Sequence, residues 1–322
     1  MPRVKNLLAE LPPAEVIDLE AIRAGLASGE IELVCVLGPT ASGKTRYAVQ
    51  LARALGGEII SADSRQVYRG MDIGTGKDLA DYGEVPYHLI DIANPGDGYN
   101  VFRFKEDFGK AYAGIRSRGA TPILCGGTGL YINAVTSGYD FKSHKPLSAP
   151  KDVCKEIGGE GLFFQQTETA YGHPEGQVSI GGQQGDNLSR RDGGDPLAGG
   201  MERSGSFLEE ESLPAVPRTF FIGTLVTREV RNARIDARLD ARLQEGMIDE
   251  IKGLLDGGVA PSVLLAYGLE YKYVTLYLLG ELDYASMREK LATAIHQFAK
   301  RQMTWFRGME RSGTVIHWTE VS

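Results

Sequence analysis

The sequence has little cysteine and no long apolar run, and both absences narrow the class of protein. Its three cysteines, Cys35, Cys125 and Cys154, fit neither a disulfide framework nor a metal-binding motif. No apolar stretch is long enough to cross a bilayer. Residues 1–15 carry charges and prolines where a signal peptide needs an apolar segment. We therefore expect a cytoplasmic protein that does not contact membranes.

Basic residues are outnumbered by acidic ones, 35 to 42. The net charge of −7 and the isoelectric point of about 5.4 argue against indiscriminate binding to nucleic acid. One segment, residues 296–311, differs because it holds a single acid, and its basic residues are Lys300, Arg301, Arg307 and Arg311. This segment also contains Trp305 and Phe306. It predicts either a basic, aromatic surface for RNA or an ordinary amphipathic helix, and the sequence leaves both open.

Residues 38–45 read G-P-T-A-S-G-K-T, a complete phosphate-binding loop of the G-x-x-x-x-G-K-[ST] type. An apolar run precedes the loop and a helix-like stretch follows it, so backbone N–H groups and the helix dipole would point at an anion. Lys44 would contact a phosphate, and Thr45 would offer its hydroxyl to Mg²⁺. The predicted diphosphate-binding residues are Gly38, Thr40, Ala41, Ser42, Gly43, Lys44 and Thr45.

Strand-like and helix-like segments alternate along most of the chain. Strands are predicted over residues 33–37, 58–61, 88–92, 122–125, 219–226 and 315–318. Helices are predicted over residues 47–55, 103–118, 230–255 and 284–307. This alternation predicts an α/β fold of the P-loop NTPase type, in which helices flank a parallel sheet.

The composition divides the chain into four segments. Residues 1–30 form an N-terminal extension, 31–140 the first part of the core, 141–216 an insertion, and 217–322 the second part of the core with its C-terminal helices. Within the insertion, residues 158–206 hold 13 of the 41 glycines and show no periodicity. Such a composition buries too little apolar area to offset the entropy of ordering, so we expect this insertion to be disordered.

Polar residues follow two of the predicted core strands. Asp63 lies in A-D-S-R-Q-V-Y-R-G-M-D-I-G-T-G-K, at the sheet edge where α/β proteins bind ligands, and we expect it to be catalytic or metal-related rather than only a helix cap. Thr128 lies in G-G-T-G, where the glycines would admit a ligand or simply form a tight turn. His88, on a predicted strand, is interpreted as structural.

These strings together resemble the tRNA dimethylallyltransferases, also called tRNA isopentenyltransferases. The matching text is G-P-T-A-S-G-K-T, A-D-S-R-Q-V-Y-R-G-M-D-I-G-T-G-K, H-L-I-D-I, G-G-T-G-L-Y-I-N-A and F-A-K-R-Q-M-T-W-F-R. The strings occur in the family's order and close to its spacing, over residues 33–140 and 220–318. The second string is nearly diagnostic of the family, whereas many kinases share the phosphate loop.

The resemblance implies transfer of a dimethylallyl group from dimethylallyl diphosphate to N6 of adenosine 37, beside a tRNA anticodon. Asp63 matches the family's general base, Thr128 a residue that contacts the diphosphate, and Arg234 an arginine that approaches it. Mg²⁺ and the phosphate loop would stabilise charge on the departing diphosphate. The residues expected to bind adenine or the tRNA anticodon stem-loop are Ser64, Gln66, Lys300, Arg301, Gln302 and Arg307. We expect the protein to be a monomer.

The sequence departs from the family's pattern between residue 151 and about residue 215, where the family has a helical insertion that grips tRNA. One codon choice for residues 170–176, A-Y-G-H-P-E-G, gives His-Thr-Asp-Thr-Arg-Lys when it is shifted by one base, and this resembles the family's text. The segment is therefore either a genuine, atypical insertion or a frameshifted segment that returns to frame near Pro217. In addition, Gly76 stands where the family usually has alanine.

Other functions are compatible with the same motifs. An isopentenyltransferase acting on free adenine nucleotides would use the same loop, and an altered insertion would favour so small an acceptor. A small-molecule kinase would turn over ATP, although no lid-type arginine cluster is evident in the sequence. A non-catalytic nucleotide- or RNA-binding protein would bind ligand without forming product. The basic C-terminal segment favours tRNA as the acceptor.

Overall fold

A computed structural model describes residues 11–137 and 216–321. Their strands are β1 (Leu33–Leu37), β2 (Gly57–Ser61), β3 (Tyr87–His88), β4 (Thr121–Gly126), β5 (Thr219–Leu225) and β6 (Ile316–Glu320). They form one six-stranded sheet in the order β3-β2-β4-β1-β5-β6, and every neighbouring pair is parallel. The predicted parallel α/β fold is confirmed.

The described residues contain helices of very different length. They are α1 (Leu19–Ser28), α2 (Lys44–Leu55), α3 (Val101–Ser117), α4 (Gly129–Thr136), α5 (Arg228–Glu245), α6 (Met247–Asp256), α7 (Pro261–Ala266), α8 (Leu269–Leu278) and α9 (Tyr284–Arg311). Several begin at a side chain that accepts hydrogen bonds from the first turn, namely Asp18, Asn100, Thr227 and Asp283.

Strand β1 shows why the centre of the sheet forms where it does. Its five residues, L-V-C-V-L, are all buried, as expected for a parallel strand that is covered on both faces. Alternate side chains point into two separate apolar cores, with Leu33, Cys35 and Leu37 in one and Val34 and Val36 in the other. Helices α1 and α2 cover the second core, and the remaining helices cover the first.

Two predicted elements differ from the structure. The strand predicted over residues 88–92 is reduced to β3, because Leu89 (φ 63°) and Asp91 (φ 57°) adopt left-handed backbone conformations that interrupt an extended chain. The single helix predicted over residues 230–255 is two helices, α5 and α6, which Gly246 (φ 104°) separates. The apolar spacing continues across this break, so periodicity alone could not detect it.

The predicted insertion over residues 141–216 lies almost wholly outside the described residues. The predicted disorder of this insertion and the frameshift hypothesis therefore concern residues outside the described ones. Cys35 and Cys125 are buried free thiols, as predicted for core strands, and Cys154 lies outside the described residues. No helix within residues 11–137 and 216–321 is both long enough and apolar enough to span a membrane.

Because the strands are parallel, the loops after β1, β2 and β4 leave the sheet at one edge, where the site is found.

Candidate active site

The phosphate loop joins β1 to α2 and leaves several backbone N–H groups unpaired. Helix α2 starts after Gly43 (φ 82°) without a side-chain cap, and Ala41 (φ 60°) is also left-handed. Within the described residues, no hydrogen bond uses the N–H groups of Ala41, Gly43, Lys44 or Thr45. Four such donors at a helix N-terminus form a binding site for an anion.

Two other loop residues are used by the protein itself. The Thr40 N–H donates to Gln302 Oε1 at 2.8 Å, and the Ser42 N–H donates to the Pro39 carbonyl at 3.3 Å. The buried Ser42 hydroxyl lies 2.7 Å from Thr224 Oγ1. Thr40 and Ser42 are both predicted to bind diphosphate. In the structure, the Thr40 N–H, the Ser42 N–H and the Ser42 hydroxyl instead stabilise the conformation of the loop.

The G-G-T-G turn after β4 packs tightly against the protein. A Cβ on Gly127 would lie 2.4 Å from Gln302 Nε2 and 3.4 Å from the Gly38 carbonyl oxygen. A Cβ on Gly129 would lie 2.1 Å from Trp305 Cδ1. These glycines let the phosphate loop and α9 approach the turn closely, and contact of the turn with a ligand stays a prediction.

Asp63 and Thr128 come together because the loops after β2 and β4 are hydrogen-bonded to each other. The Thr128 N–H donates to the Ala62 carbonyl at 3.3 Å, and the Ser64 N–H donates to Thr128 Oγ1 at 3.3 Å. Asp63 Oδ1 accepts from the Arg65 N–H at 3.0 Å, and the Asp63 side chain is 21% exposed. Asp63 Oδ2 makes no hydrogen bond within the described residues. A carboxylate oxygen that is unpaired and accessible can accept a proton from a substrate.

The charges around Lys44 show which groups share the site. Burial lowers the pKa of the Lys44 ammonium, the Cys125 thiol and the Asp63 carboxylate raise it, and Arg238 and Arg65 lower it again. Burial raises the pKa of Cys125 to about 11, so this thiol is neutral near pH 7. Lys44 therefore lies in the combined field of a carboxylate and two guanidinium groups, at the end of the loop that offers N–H donors.

Arginines on α5 face the phosphate loop. Arg234 Nη1 lies 4.0 Å from the position that a Cβ would take on Gly43. One turn further along, Arg238 donates to Asp78 Oδ2 at 2.6 Å and to the Gly76 carbonyl at 3.3 Å. The sequence analysis identified Arg234 and missed Arg238. Their four-residue spacing, which places both on one helix face, was the signal that pointed to Arg238.

Arg65 and Glu270 are two further site residues that the sequence analysis missed. Arg65 Nη1 donates to Glu270 Oε2 at 2.8 Å, and the Arg65 guanidinium lies 5.5 Å from the centroid of the Phe298 ring. Because Arg65 also binds Asp63 through its backbone N–H, it connects the Asp63 carboxylate to α8 and α9. Arg65 stands inside the diagnostic string of the sequence, whereas the position of Glu270 in the site depends on tertiary structure.

The residues expected to contact adenine follow β2, next to Asp63. Ser64 is half-buried beside Thr128. The Gln66 amide accepts from Ser61 Oγ at 3.3 Å and donates to the Gly76 carbonyl at 3.2 Å. Both residues are thus held at the mouth of the site, and their contact with a base stays a prediction.

The residues expected to contact tRNA lie on α9, which is amphipathic. Lys300 and Arg301 are exposed, Arg307 is half-buried and Phe306 belongs to the core. Gln302 is buried, and both ends of its amide are bonded, to the Thr40 N–H and to the Gly127 carbonyl at 3.0 Å. We therefore assign Gln302 to positioning the phosphate loop instead of binding tRNA. The basic surface and the amphipathic helix that the sequence left open are therefore both present. The basic residues lie on the exposed face of α9 and the apolar residues on its buried face.

His88 belongs to an ion-pair cluster on β2, β3 and the end of α3. Its Nε2 lies 2.7 Å from Glu58 Oε2, and the Arg118 guanidinium binds both carboxylate oxygens of Glu58 at 2.9 and 2.7 Å. The hydrogen bond from Arg118 holds the pKa of Glu58 below its ordinary value. These contacts support the structural interpretation of His88.

The residues present fit a Mg²⁺ ion that the diphosphate itself would hold. The Thr45 hydroxyl makes no hydrogen bond in the described part of the chain. No group of three or more His, Cys, Asp or Glu residues within that part could hold a metal ion. Mg²⁺ commonly binds through substrate phosphates and one or two protein oxygens while it keeps several waters. The Thr45 hydroxyl could supply one such protein oxygen.

A phosphate loop, an unpaired carboxylate oxygen and arginines converge at the carboxyl edge of a parallel sheet, which defines a P-loop α/β transferase. The family model described as IPP transferase matches residues 66–171 and 198–309, and the model described as isopentenyl transferase matches residues 31–83. The chain belongs to the IPP transferase family. The first match is interrupted inside the segment, residues 151–215, in which the sequence departs from the family's pattern.

Individual relatives agree with this assignment. The chain is 50% identical over 294 residues to tRNA dimethylallyltransferase 1 of Porphyromonas gingivalis, covering 89% of this chain and 93% of the relative. It is 46% identical over 300 residues to tRNA dimethylallyltransferase 1 of Azobacteroides pseudotrichonymphae, covering 91% and 94%. Among solved structures, the full-length tRNA isopentenylpyrophosphate transferase of Bacillus halodurans superposes with a TM-score of 0.62 at 31% identity, covering 90% of this chain and 89% of that one.

Proposed function

We propose that this protein transfers a dimethylallyl group from dimethylallyl diphosphate to N6 of adenosine 37 in tRNA and releases diphosphate. Relatives at 50% and 46% identity carry the name tRNA dimethylallyltransferase. The observation that carries the proposal is the meeting of unpaired N–H donors with the unpaired oxygen of Asp63 at one sheet edge. Loss of an anionic leaving group and removal of a proton are the two events that this transfer requires.

The phosphate loop serves as a clamp for the leaving group. The N–H groups of Ala41, Gly43, Lys44 and Thr45, together with the Lys44 ammonium, bind the diphosphate, and Arg234 approaches it from α5. As the bond between the allylic carbon and the diphosphate oxygen breaks, its electron pair passes to that oxygen. Donors that are already oriented toward the developing charge stabilise it without reorganisation. Mg²⁺ would add Lewis-acid stabilisation of the same oxygens.

Asp63 completes the reaction at the acceptor. The lone pair of adenine N6 forms the new bond to the allylic carbon, and an N6 proton passes to Asp63 Oδ2. The allylic carbon can carry positive charge, so the weakly nucleophilic amine is sufficient. Thr128 Oγ1, held by the Ser64 N–H at 3.3 Å, aligns the groups between the carboxylate and the diphosphate.

The acceptor must deliver its base into this site. A base of an anticodon loop is already single-stranded, so flipping it out costs little. Ser64 and Gln66 follow the strand that carries Asp63 and would contact the flipped adenine. Lys300 and Arg301, exposed on α9, would bind the phosphate backbone of the tRNA. We further propose that the protein acts as a monomer in the cytoplasm.

Single-turnover transfer from radiolabelled dimethylallyl diphosphate to an unmodified tRNA carrying A36-A37-A38 tests the function. Label at N6 of A37 is the expected result, and AMP offered in parallel should stay unlabelled. Labelled AMP would instead indicate a free-nucleotide acceptor, ATP turnover a kinase, and diphosphate binding without product a non-catalytic protein. Asp63→Asn should bind diphosphate normally but transfer about 10²-fold more slowly. Unchanged turnover in that variant would remove Asp63 from the mechanism.

A further inference from the structure

Arg242, on α5, is a buried arginine that makes no hydrogen bond to any residue the structure describes. Its side chain is 12% exposed, its Nη2 is buried without a hydrogen-bond partner, and none of its N–H groups donates to another described residue. The nearest carboxylate oxygen, Asp78 Oδ2, lies 3.9 Å away and already accepts from Arg238 at 2.6 Å. Burying a cation without hydrogen-bonded partners is costly, so such an arginine is expected to serve a ligand.

The charges near Arg242 leave an excess of positive charge. Burial, together with the neighbouring Arg238, lowers the pKa of Arg242 to about 10, so it is still charged near pH 7. The charged groups that act on Arg242 are the guanidinium groups of Arg238 and Arg65, which lower its pKa, and the carboxylates of Glu270 and Asp78, which raise it. With Arg242 itself, three cations face two carboxylates, so one positive charge is unbalanced and the site favours an anion.

A pocket connects Arg242 to the tip of the phosphate loop. Its polar side chains come from Thr40, Arg238, Arg242 and Glu270, and Ala41 with apolar side chains of α5, α6 and α9 lines the remainder. The Ala41 N–H is one of the unpaired donors of the loop. The pocket has a volume of about 20 Å³, which admits a single oxygen atom of an anion rather than the whole group. Such an oxygen would meet a backbone donor from one side and a guanidinium from the other.

Gly76 allows the guanidinium of Arg242 to lie where it does. A Cβ on Gly76 (φ 67°) would lie 1.7 Å from Arg242 Nη2 and 2.5 Å from Arg238 Nη2. An alanine there would push both guanidinium groups away. The loop just before Gly76 is fixed by Glu250, whose carboxylate accepts the N–H groups of residues 72, 73 and 74 at 2.8, 2.7 and 3.0 Å. Glu250, on α6, thus fixes the backbone just before Gly76, against which the Arg242 guanidinium packs.

We propose that Arg242 contacts the diphosphate group of the allylic substrate, and that Gly76 is the residue that gives Arg242 the space to do so. This inference rests on the proposed function, because it adds a contact to the same site. The planar guanidinium presents paired N–H donors that match phosphate oxygens, and charge-assisted bonds of this kind are among the strongest. Among residues 11–137 and 216–321, the Arg242 guanidinium has no hydrogen-bonding partner of this type.

Binding of inorganic diphosphate to the purified full chain tests the contact, with calorimetry as the readout. Arg242→Met keeps the unbranched side chain as far as the position of Nε and removes the charge, and we expect it to weaken binding about 10- to 100-fold. In parallel, KM for dimethylallyl diphosphate should rise by a similar factor. Arg288→Met is the matched control, because Arg288 pairs with Asp240 at 2.7 Å and does not line the pocket, and its binding should be unchanged.

A double-mutant cycle separates the two parts of the proposal. Gly76→Ala should weaken diphosphate binding in the wild-type background and have no further effect in the Arg242→Met background. Equal losses in both backgrounds would show that Gly76 matters only for its backbone conformation. Wild-type affinity in Arg242→Met would overturn the contact itself.

Stability and transfer give two further readouts. Without ligand, Arg242→Met should unfold at the same temperature as the wild type or higher, because it removes a buried charge that lacks partners. A clear loss of stability would mean that Arg242 is structural. If the wild type binds diphosphate, Arg242→Met does not, and neither transfers label to tRNA, then the contact holds and only the proposed acceptor fails.

Discussion

Replacing Gln302 with leucine should damage the site from a position that does not touch substrate. The Gln302 amide accepts from the Thr40 N–H at 2.8 Å and donates to the Gly127 carbonyl at 3.0 Å, and the residue is 8% exposed. Leucine has a similar volume but leaves both backbone groups without partners. Each buried group that loses its hydrogen bond costs about 1–3 kcal/mol. Gln302→Leu should therefore lower the free energy of unfolding by about 2–6 kcal/mol.

The same change should also slow the reaction, since the amide sets the separation between the phosphate loop and the turn that carries Thr128. Gln302→Glu is the informative companion, because its carboxylate still accepts from the Thr40 N–H but cannot donate to the Gly127 carbonyl. We expect a loss of stability at least as large as that of Gln302→Leu, because a buried carboxylate oxygen would face the Gly127 carbonyl oxygen, and weaker diphosphate binding, since the new carboxylate repels an anion.

Urea unfolding and single-turnover transfer measure the two effects on the same samples. Gln297→Leu, at an exposed position of the same helix, is the matched control and should change stability by no more than about 0.5 kcal/mol. If Gln302→Leu unfolds at the wild-type urea concentration and transfers label at the wild-type rate, the amide does not hold the loop and the reasoning is wrong.

Three further predictions follow from other contacts. Glu250→Ala removes the carboxylate that accepts three loop N–H groups and should lower the free energy of unfolding by about 3 kcal/mol, measured by urea unfolding; a loss below about 1 kcal/mol would contradict this. Gly129→Ala places a methyl group 2.1 Å from the Trp305 ring and should cost about 1–3 kcal/mol, whereas Gly253→Ala, in open space on α6, should add about 0.5–1 kcal/mol, and thermal unfolding compares them. The lowered pKa of Glu58 means that its stabilisation is present above about pH 4.5, the ordinary value, and is lost as pH falls through the folded-state pKa. The stability gap between wild type and Glu58→Gln should therefore narrow in acid, and a gap that stays constant with pH would refute the ion-pair explanation.

Much of the fold was predictable because it depends on local patterns. The apolar run of β1 and the phosphate loop after it identify a strand, a turn and a helix start from adjacent residues. Errors arose where the backbone leaves its ordinary conformation without a local signal, as at Leu89 and Asp91. At Gly246 the helical spacing of apolar residues continues through the break, so periodicity predicted one helix where there are two.

The candidate site was predictable only in part. Asp63, Thr128 and Lys44 stand in strings whose composition and order indicate chemistry. The structural role of Gln302 could not be predicted, because its hydrogen-bond partners, Thr40 and Gly127, are 262 and 175 residues away in sequence. Arg65 is part of the most informative string. Its ion pair with Glu270 could not be predicted, because the two residues are 205 positions apart in sequence.

The sequence by itself determined the parallel α/β architecture, the anion-binding loop and the family, since each is written in contiguous residues whose backbone preferences and hydrogen-bonding groups act locally. Only the tertiary structure decided which polar groups can bind a ligand and which are already hydrogen-bonded within the protein. The Thr40 N–H and the N–H and hydroxyl of Ser42 hold the loop, while Asp63 Oδ2 and the guanidinium of Arg242 have no hydrogen-bond partner in the part of the chain that the structure describes. The reason is physical: a hydrogen bond is satisfied by whichever partner packing brings within about 3 Å, and packing joins residues that the sequence keeps far apart.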